Sequence, residues 1–283
     1  MTLLPSPPAM RFGHATSVAD GASGVHHAWQ GGLYRQHTGH HRRHDPPFLD
    51  GLPLEPGMAL LDLGCGDGAL TASLAAAHPG VSVIGIDAAP GMIAAAGRHA
   101  APNLSFELRR VQDIELMGAF DVAISIAALH WVPAPDQPGL LSGLYRALKP
   151  GGRFLAEFGG AGNVDATVAG LMSLARSGDY GPELAATEEP WYFPTPEKYA
   201  GLLGDAGFRG VETQLVPQQR EFTKDEFEGW LVSQTMLPWT ARLDAEGAQR
   251  FSRDAVAGAL ERARHGDIYR ETFKRVRVAA EKA

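Results

Sequence analysis

The sequence predicts a doubly wound α/β fold around a mostly parallel sheet. Three observations carry this. From Met58 onward, short apolar runs alternate with helical stretches. A glycine-rich turn stands where the first strand meets the first helix, and an acid closes the second strand. Strands that alternate with helices are joined by crossovers, so neighbours run parallel and helices cover the sheet's faces.

The elements follow in order. Residues 1–24, rich in Pro, Gly and Ser, read as a loose arm. Residues 25–52 read as helical near the middle and stop around Asp45-Pro46-Pro47, because proline disfavours a helical residue before it. Strands are expected at Ala59–Leu63, Val81–Ile86, Leu104–Leu108, Asp121–Ile126 and Arg153–Phe158. Helices are expected at Ala69–Ala77, Pro90–Arg98 and Pro138–Leu148, the second with proline suitably placed at its start. A mostly helical insert spans 160–192. A helix at Pro196–Asp205 and a strand at Gly210–Leu215 then resume the rhythm. The tail reads as helices Lys224–Gln234, Ala245–His265 and Ile268–Ala280. The resulting organisation is an arm and lid (1–57), a Rossmann-like nucleotide-binding domain with its insert (58–222), and a helical cap packed on it (223–283).

Composition bounds the function. With 45% hydrophobic and 20% charged residues, a packed core is expected and global disorder is not. The net charge of -7 does not steer the chain toward phosphate backbones, which argues against nucleic acid as substrate. Cys65 is the single cysteine, so no intrachain disulfide forms and a cytoplasmic setting is expected. No secretory signal is read, and no stretch approaches the ~20 apolar residues of a membrane helix. The expected partner is a small molecule, with neither nucleic acid nor membrane, for a monomer or homodimer.

The strongest motif is Leu61-Asp62-Leu63-Gly64-Cys65-Gly66-Asp67-Gly68. Its glycines let the backbone turn sharply and approach a ligand. Asp87, closing Ile84-Gly85-Ile86-Asp87, is placed to accept both hydroxyls of a ribose. The run Gly64-x-Gly66-x-x-Ala69 also satisfies the looser dinucleotide fingerprint, so glycines alone do not choose the nucleoside. Asp62 does. A carboxylate there would repel a pyrophosphate but suits an ammonium, which S-adenosylmethionine (SAM) carries, and SAM has no phosphate.

The stretch resembles motif I of the class I SAM-dependent methyltransferases. Ile124-Ser125-Ile126-Ala127-Ala128-Leu129-His130-Trp131-Val132 resembles their fourth strand and following loop, and Leu148-Lys149-Pro150-Gly151-Gly152-Arg153-Phe154 the turn into their fifth. The Leu-His-Trp-Val loop, the Trp191-Tyr192-Phe193 segment and the tail most resemble the trans-aconitate and juvenile-hormone-acid methyltransferase group. The resemblance implies a seven-stranded sheet, SAM as cofactor, S-adenosylhomocysteine (SAH) as product, and Tyr34 in an N-terminal helix lidding the cofactor. The cofactor set is completed by Cys65, Ala88, Met92 and Ile126. Where relatives carry an acid after the third strand, this chain has Arg109-Arg110-Val111. The adenine contact then falls to Val111 backbone, Gln112 or Asp113, unless the last two merely cap the next helix.

His130 is the candidate base if the acceptor is a hydroxyl or carbon acid; a carboxylate acceptor needs none. The alternative is a histidine held by a backbone carbonyl. Trp131 offers an indole N–H to an acceptor oxygen, or simply walls the pocket. His37, His40, His41 and His44 would share one helix face, but Arg42 and Arg43 among them oppose a cation, so no metal is assigned. Arg43 (or Arg42) instead suits the SAM carboxylate, with Asp45 orienting it. Trp191, Tyr192, Trp230, Gln234 and Tyr269 are candidate acceptor-pocket residues, ordinary core packing being the alternative. Arg262, Arg264, Arg270, Lys274, Arg275 and Arg277 form a basic stripe. If one or two turn inward, they favour an anionic acceptor. The expected function is O-methylation of a small carboxylate or hydroxyl. C- or N-methylation, an NAD-dependent oxidoreductase and a non-catalytic SAM-binding module are the alternatives.

Overall fold

A computed structural model describes Trp29, Leu49 and residues 52–283. Tyr34, Arg43 and the histidines of 37–44 lie outside the described residues.

The alternation predicted from Met58 is observed. Strand β1 (Ala59–Leu63) leads to helix α1 (Ala69–Ala77), β2 (Ser82–Asp87) to α2 (Pro90–Ala96), and β3 (Leu104–Leu108) to β4 (Phe120–Ile126). Helix α3 (Gln137–Ala147) then runs into β5 (Leu148–Gly159). Between β3 and β4 the chain makes a loop rather than a helix, so Gln112 and Asp113 cap nothing; Asp113 N–H instead closes a turn onto Arg110 C=O at 3.0 Å. After β5 come α4 (Asp165–Arg176), the short α5 (Pro182–Ala185), α6 (Pro196–Asp205) and β6 (Phe208–Phe222). Then follow α7 (Lys224–Trp230), a wide π turn (Leu231–Thr235), α8 (Leu237–Thr240), α9 (Ala245–Ala263), the two-residue β7 (Arg264–His265) and β8 (Ile268–Lys282).

The sheet order is β3-β2-β1-β4-β5-β8-β6, with β7 paired to β8 outside that path. β1 to β5 pair in parallel, while β8 runs antiparallel between β5 and β6. The helix expected over Ile268–Ala280 is therefore a strand, and the tail is not all cap. Two long neighbours explain this. Arg153–Gly159 and Phe208–Phe222 both pair with it, and backbone groups bonded on both sides override a segment whose Arg, Lys, Glu and Ala content reads locally as helix.

Side-chain alternation places the cores. Leu61 and Leu63 of β1 face one cluster with Ile84, Ile86, Phe154, Leu140 and Tyr199, whereas Leu60 faces another with Val83, Val122, Ile124 and Ala75 of α1. A third cluster, with Trp191, Phe222, Phe227, Trp230, Trp239, Phe251 and Phe273, lies in the cap. Thr223 and Glu226 form a reciprocal capping box that starts α7. Among the described residues no helix is long and apolar enough to cross a membrane.

Candidate active site

The site assembles at the carboxyl ends of the parallel strands, where open α/β sheets bind ligands. The N–H groups of Gly64 and Cys65 both donate to Ile86 C=O, at 2.8 and 3.0 Å, which ties the glycine loop to the end of β2. Gly64 has φ +74°, and a Cβ on it would stand 2.2 Å from Ala128 Cβ. Gly66 has φ +57°, and nothing lies within 4 Å of where its Cβ would be. The loop thus leaves open space that a single methyl would begin to fill. Gly66 N–H donates to Asp87 Oδ2 at 3.0 Å and Ala89 N–H to Oδ1 at 2.8 Å. Each oxygen keeps a lone pair, so the carboxylate still has capacity for two hydroxyls. Burial raises the Asp87 carboxyl above its ordinary range, while those two bonds pull it back.

Asp62 shares the Leu60 face of β1 and is buried against α1, where it accepts from Thr71 Oγ1 at 2.6 Å. Burial pushes its carboxyl up to about 7, the Thr71 bond opposes this, and the Asp87 charge adds to it. A desolvated carboxylate of that kind is stabilised by a cation. Cys65 is half-buried, with its thiol pushed well up by burial and by Asp87 and Asp62. Ala88 is half-buried beside Asp87, Met92 is buried in α2, and Ile126 is half-buried at the end of β4. Val111 is buried, Gln112 donates to Asp136 Oδ2 at 3.3 Å, and Asp113 is exposed. Arg109 N–H donates to Asp87 C=O at 2.9 Å, holding this loop against the end of β2. An open glycine cradle, a hydroxyl-accepting carboxylate and a buried acid for an ammonium fit SAM.

Next to the cradle lies a partly open cavity. Ala127 and His130 line it, and Ala128 between them is the residue that abuts Gly64. Trp29, Trp131, Trp191, Trp230, Phe193 and Phe273 make its aromatic wall, with Asn163, Gln234, Thr235 and Arg275 as polar groups. Ala127 (φ 55°) and Val164 (φ 45°) are the two non-glycine residues with positive φ among the described residues, and both line this cavity. A left-handed valine is a true outlier, and such strain concentrates at functional sites. The π turn explains Gln234 and Thr235. Met236 N–H reaches back five residues to Leu231 C=O at 2.9 Å, and this widening lets Thr235 join Gln234 and Trp230 on one wall.

His130 and Trp131 sit in a 3₁₀ turn (Leu129–Trp131) after β4. Gln137, fully buried at the start of α3, braces that turn: Nε2 donates to both Leu129 C=O and Val132 C=O at 2.9 Å. His130 is buried, and its Nδ1 accepts from Gly159 N–H at 3.4 Å. A neutral imidazole accepting at Nδ1 carries its proton on Nε2.

The structure brings His130, Trp131, Trp191, Trp230 and Gln234 of the expected set into this cavity. It places Tyr192 and Tyr269 elsewhere. Tyr192 lies under Lys198, touching the site through its N–H to His130 C=O, and Tyr269 stacks on Phe227 at 5.8 Å. Trp239 is fully buried behind Trp191. Trp29, Asn163, Val164, Thr235 and Phe273 were not singled out by the sequence, and Phe193 only within the Trp191-Tyr192-Phe193 segment. Phe273 and Arg275 become readable once 268–282 is taken as a strand, because alternate residues then share a face.

The methyltransferase-domain family profile matches residues 60–152. A trans-aconitate 2-methyltransferase of Deinococcus radiodurans is 34% identical over 236 residues, covering 80% of this chain and 87% of that protein. A trans-aconitate 2-methyltransferase of Mycobacterium tuberculosis is 29% identical over 238 residues, covering 81% and 86%. Among solved structures, a Haemonchus contortus phosphoethanolamine N-methyltransferase 2 in complex with S-adenosyl-L-methionine superposes with a TM-score of 0.55 at 19% identity. That match covers 89% of this chain and 56% of the longer structure, so it speaks for the fold alone. The cradle and the sheet define a SAM-dependent methyltransferase. The chain belongs to the methyltransferase family that includes the trans-aconitate 2-methyltransferases. It is an enzyme, and its cofactor is SAM.

Proposed function

We propose that the chain methylates a carboxylate oxygen of a small organic acid seated in the aromatic cavity. One observation carries this reading: His130 Nδ1 accepts from Gly159 N–H, an arrangement that favours the tautomer with its proton on Nε2, where the ring donates and does not act as a base. A cavity that supplies donors suits an acceptor already ionised at neutral pH, which a carboxylic acid is. The relatives named for trans-aconitate, a polycarboxylic acid, support the same class.

In this reading Asp87 holds the ribose hydroxyls and Asp62 the ammonium, while Gly64 and Gly66 let the backbone approach. Bound there, SAM supplies a sulfonium methyl: an acceptor oxygen forms the O–CH₃ bond as S–CH₃ breaks, the electron pair stays on sulfur, and no proton moves. Gln137 and Ala128 fix the height of the His130-Trp131 turn above the glycine loop. His130 and the Trp131 indole N–H orient the acceptor oxygens, and Trp29, Trp191 and Trp230 exclude water.

The test is the pH dependence of kcat for SAH release with trans-aconitate at saturating SAM. A profile flat between about pH 6 and 8 is expected, since no base is titrated. A tenfold rise per pH unit across that window would contradict the carboxylate reading and return His130 to the role of base.

A further inference from the structure

We propose that Arg275 is a specificity-determining residue that holds a second carboxylate of the acceptor, away from the one that is methylated. The inference rests on the carboxylate reading above.

The backbone fixes where Arg275 stands. In β8, Glu271, Phe273, Arg275 and Arg277 alternate onto one face. Arg275 pairs across the sheet with Gly159, the last residue of β5. Gly159 is the residue whose N–H meets His130 Nδ1. The two cavity groups are therefore tied to the same backbone unit, one from each side. Arg275 is 3% exposed, lines the cavity with Asn163, Trp230 and Gln234, and lies 5.1 Å from the Phe273 ring centre. Arg220 of β6, fully buried, lies 4.2 Å from that ring.

The chemistry of the lining suits an anion. Among the described lining residues Arg275 is the formal charge and none is a carboxylate. Glu271, on the same face of β8, is outside the lining; Thr167 Oγ1 and Thr272 N–H donate to it. A guanidinium presents a planar fork that matches a carboxylate with two parallel N–H bonds, which a point charge does not. Gln234 adds an amide beside it. The acceptor that satisfies both ends carries one carboxylate at the His130-Trp131 turn and another at Arg275. The carboxylate held by Arg275 is kept from the methyl and is not the one esterified.

The experiment compares the wild-type protein with Arg275→Gln and Arg275→Lys. Trans-aconitate and crotonate, an unsaturated acid with a single carboxylate, serve as acceptors, and SAH affinity is measured by calorimetry. Arg275→Gln is expected to lower kcat/KM for trans-aconitate about 100-fold, mostly through KM. Its crotonate activity and SAH affinity stay within about twofold. Arg275→Lys keeps the charge but not the fork and loses about tenfold on trans-aconitate alone. Calorimetric titration of trans-aconitate into the SAH-loaded proteins follows the same order. Equal losses on both acids, or an unchanged preference in either folded variant, overturn the role of Arg275. A wild-type protein that binds SAH and methylates neither acid overturns the carboxylate reading itself, and the proposal with it.

Discussion

If Asp62 holds the cofactor ammonium as proposed, that one side chain couples cofactor binding to pH. Burial raises its carboxyl to about 7 in the free protein. An ammonium favours the ionised form, so the pKa falls on binding and a proton is released. Affinity for SAH therefore strengthens as pH rises through about 7, with a limiting slope of about tenfold per unit below it, until the ligand amine itself deprotonates near ~8. Asp62→Asn removes that slope and weakens SAH binding at pH 7.5 by about 10- to 100-fold. The sign for folding is the reverse. A carboxyl raised in the folded state loses its stabilising contribution as pH rises from its unfolded value toward about 7. At pH 8 the variant without ligand then melts several degrees above wild type. Thermal scans with and without SAH read both effects, and a variant that neither melts higher alone nor binds more weakly would remove Asp62 from the cofactor site. Gly66 makes a second residue-scale case. With φ +57° and open space above it, Gly66→Ala costs about 1–2 kcal/mol of backbone strain, but its methyl intrudes on the cradle. The expected outcome is a folded protein whose SAH affinity falls more than about 100-fold, while retained affinity would place the cofactor elsewhere.

At the scale of elements, the 3₁₀ turn after β4 is held by Gln137 rather than by its own sequence. Gln137→Leu leaves the Val132 carbonyl without its buried donor, at about 1–3 kcal/mol, and takes one of two donors from the Leu129 carbonyl, which keeps Val132 N–H. Both the melting temperature and kcat are expected to fall, with SAH affinity nearly unchanged; an unaltered kcat would show that the turn positions nothing. The sequence made β1, α1 and β3 readable to the residue because glycine, proline and apolar alternation act locally there. The cradle residues were readable for the same reason. β8 was not. Its identity as a strand comes from pairing with β5 and β6, residues far away in the chain, and propensity is blind to that. The wide turn at Leu231–Thr235 and the loop in place of a helix after β3 leave no signature in apolar spacing either. Of the cavity, Trp131, Trp191, Trp230 and Gln234 were legible, and Arg275 stood in the basic stripe; that it is the one turned inward follows only from the strand's alternation.

For the whole molecule, β8 joins the sheet's core to the cap cluster, as its neighbour β6 does through Phe208 and Phe222. Its C-terminal half sits in the sheet's main core through Val276, Val278 and Ala280, and Phe273 sits in the cap cluster. Sheet and cap are expected to unfold in one transition, with far-UV circular dichroism and tryptophan fluorescence coincident. All five tryptophans line the cavity or, like Trp239, pack behind it, so fluorescence reports that region. Two separated transitions would show that the strand does not couple them. The cavity itself exists only because both parts contribute: Ala127 and His130 from the end of β4, Trp230, Gln234 and Thr235 from the cap, Phe273 and Arg275 from the strand between. The most direct test of the central claim follows the methyl group. The protein is incubated with SAM labelled with ¹³C at the methyl and with trans-aconitate, and the product is read by NMR before and after mild alkali. A methyl signal at an ester position that is released as methanol by hydroxide is the predicted result. A label that survives alkali on carbon or nitrogen, or SAH formed with no labelled acid, would contradict it.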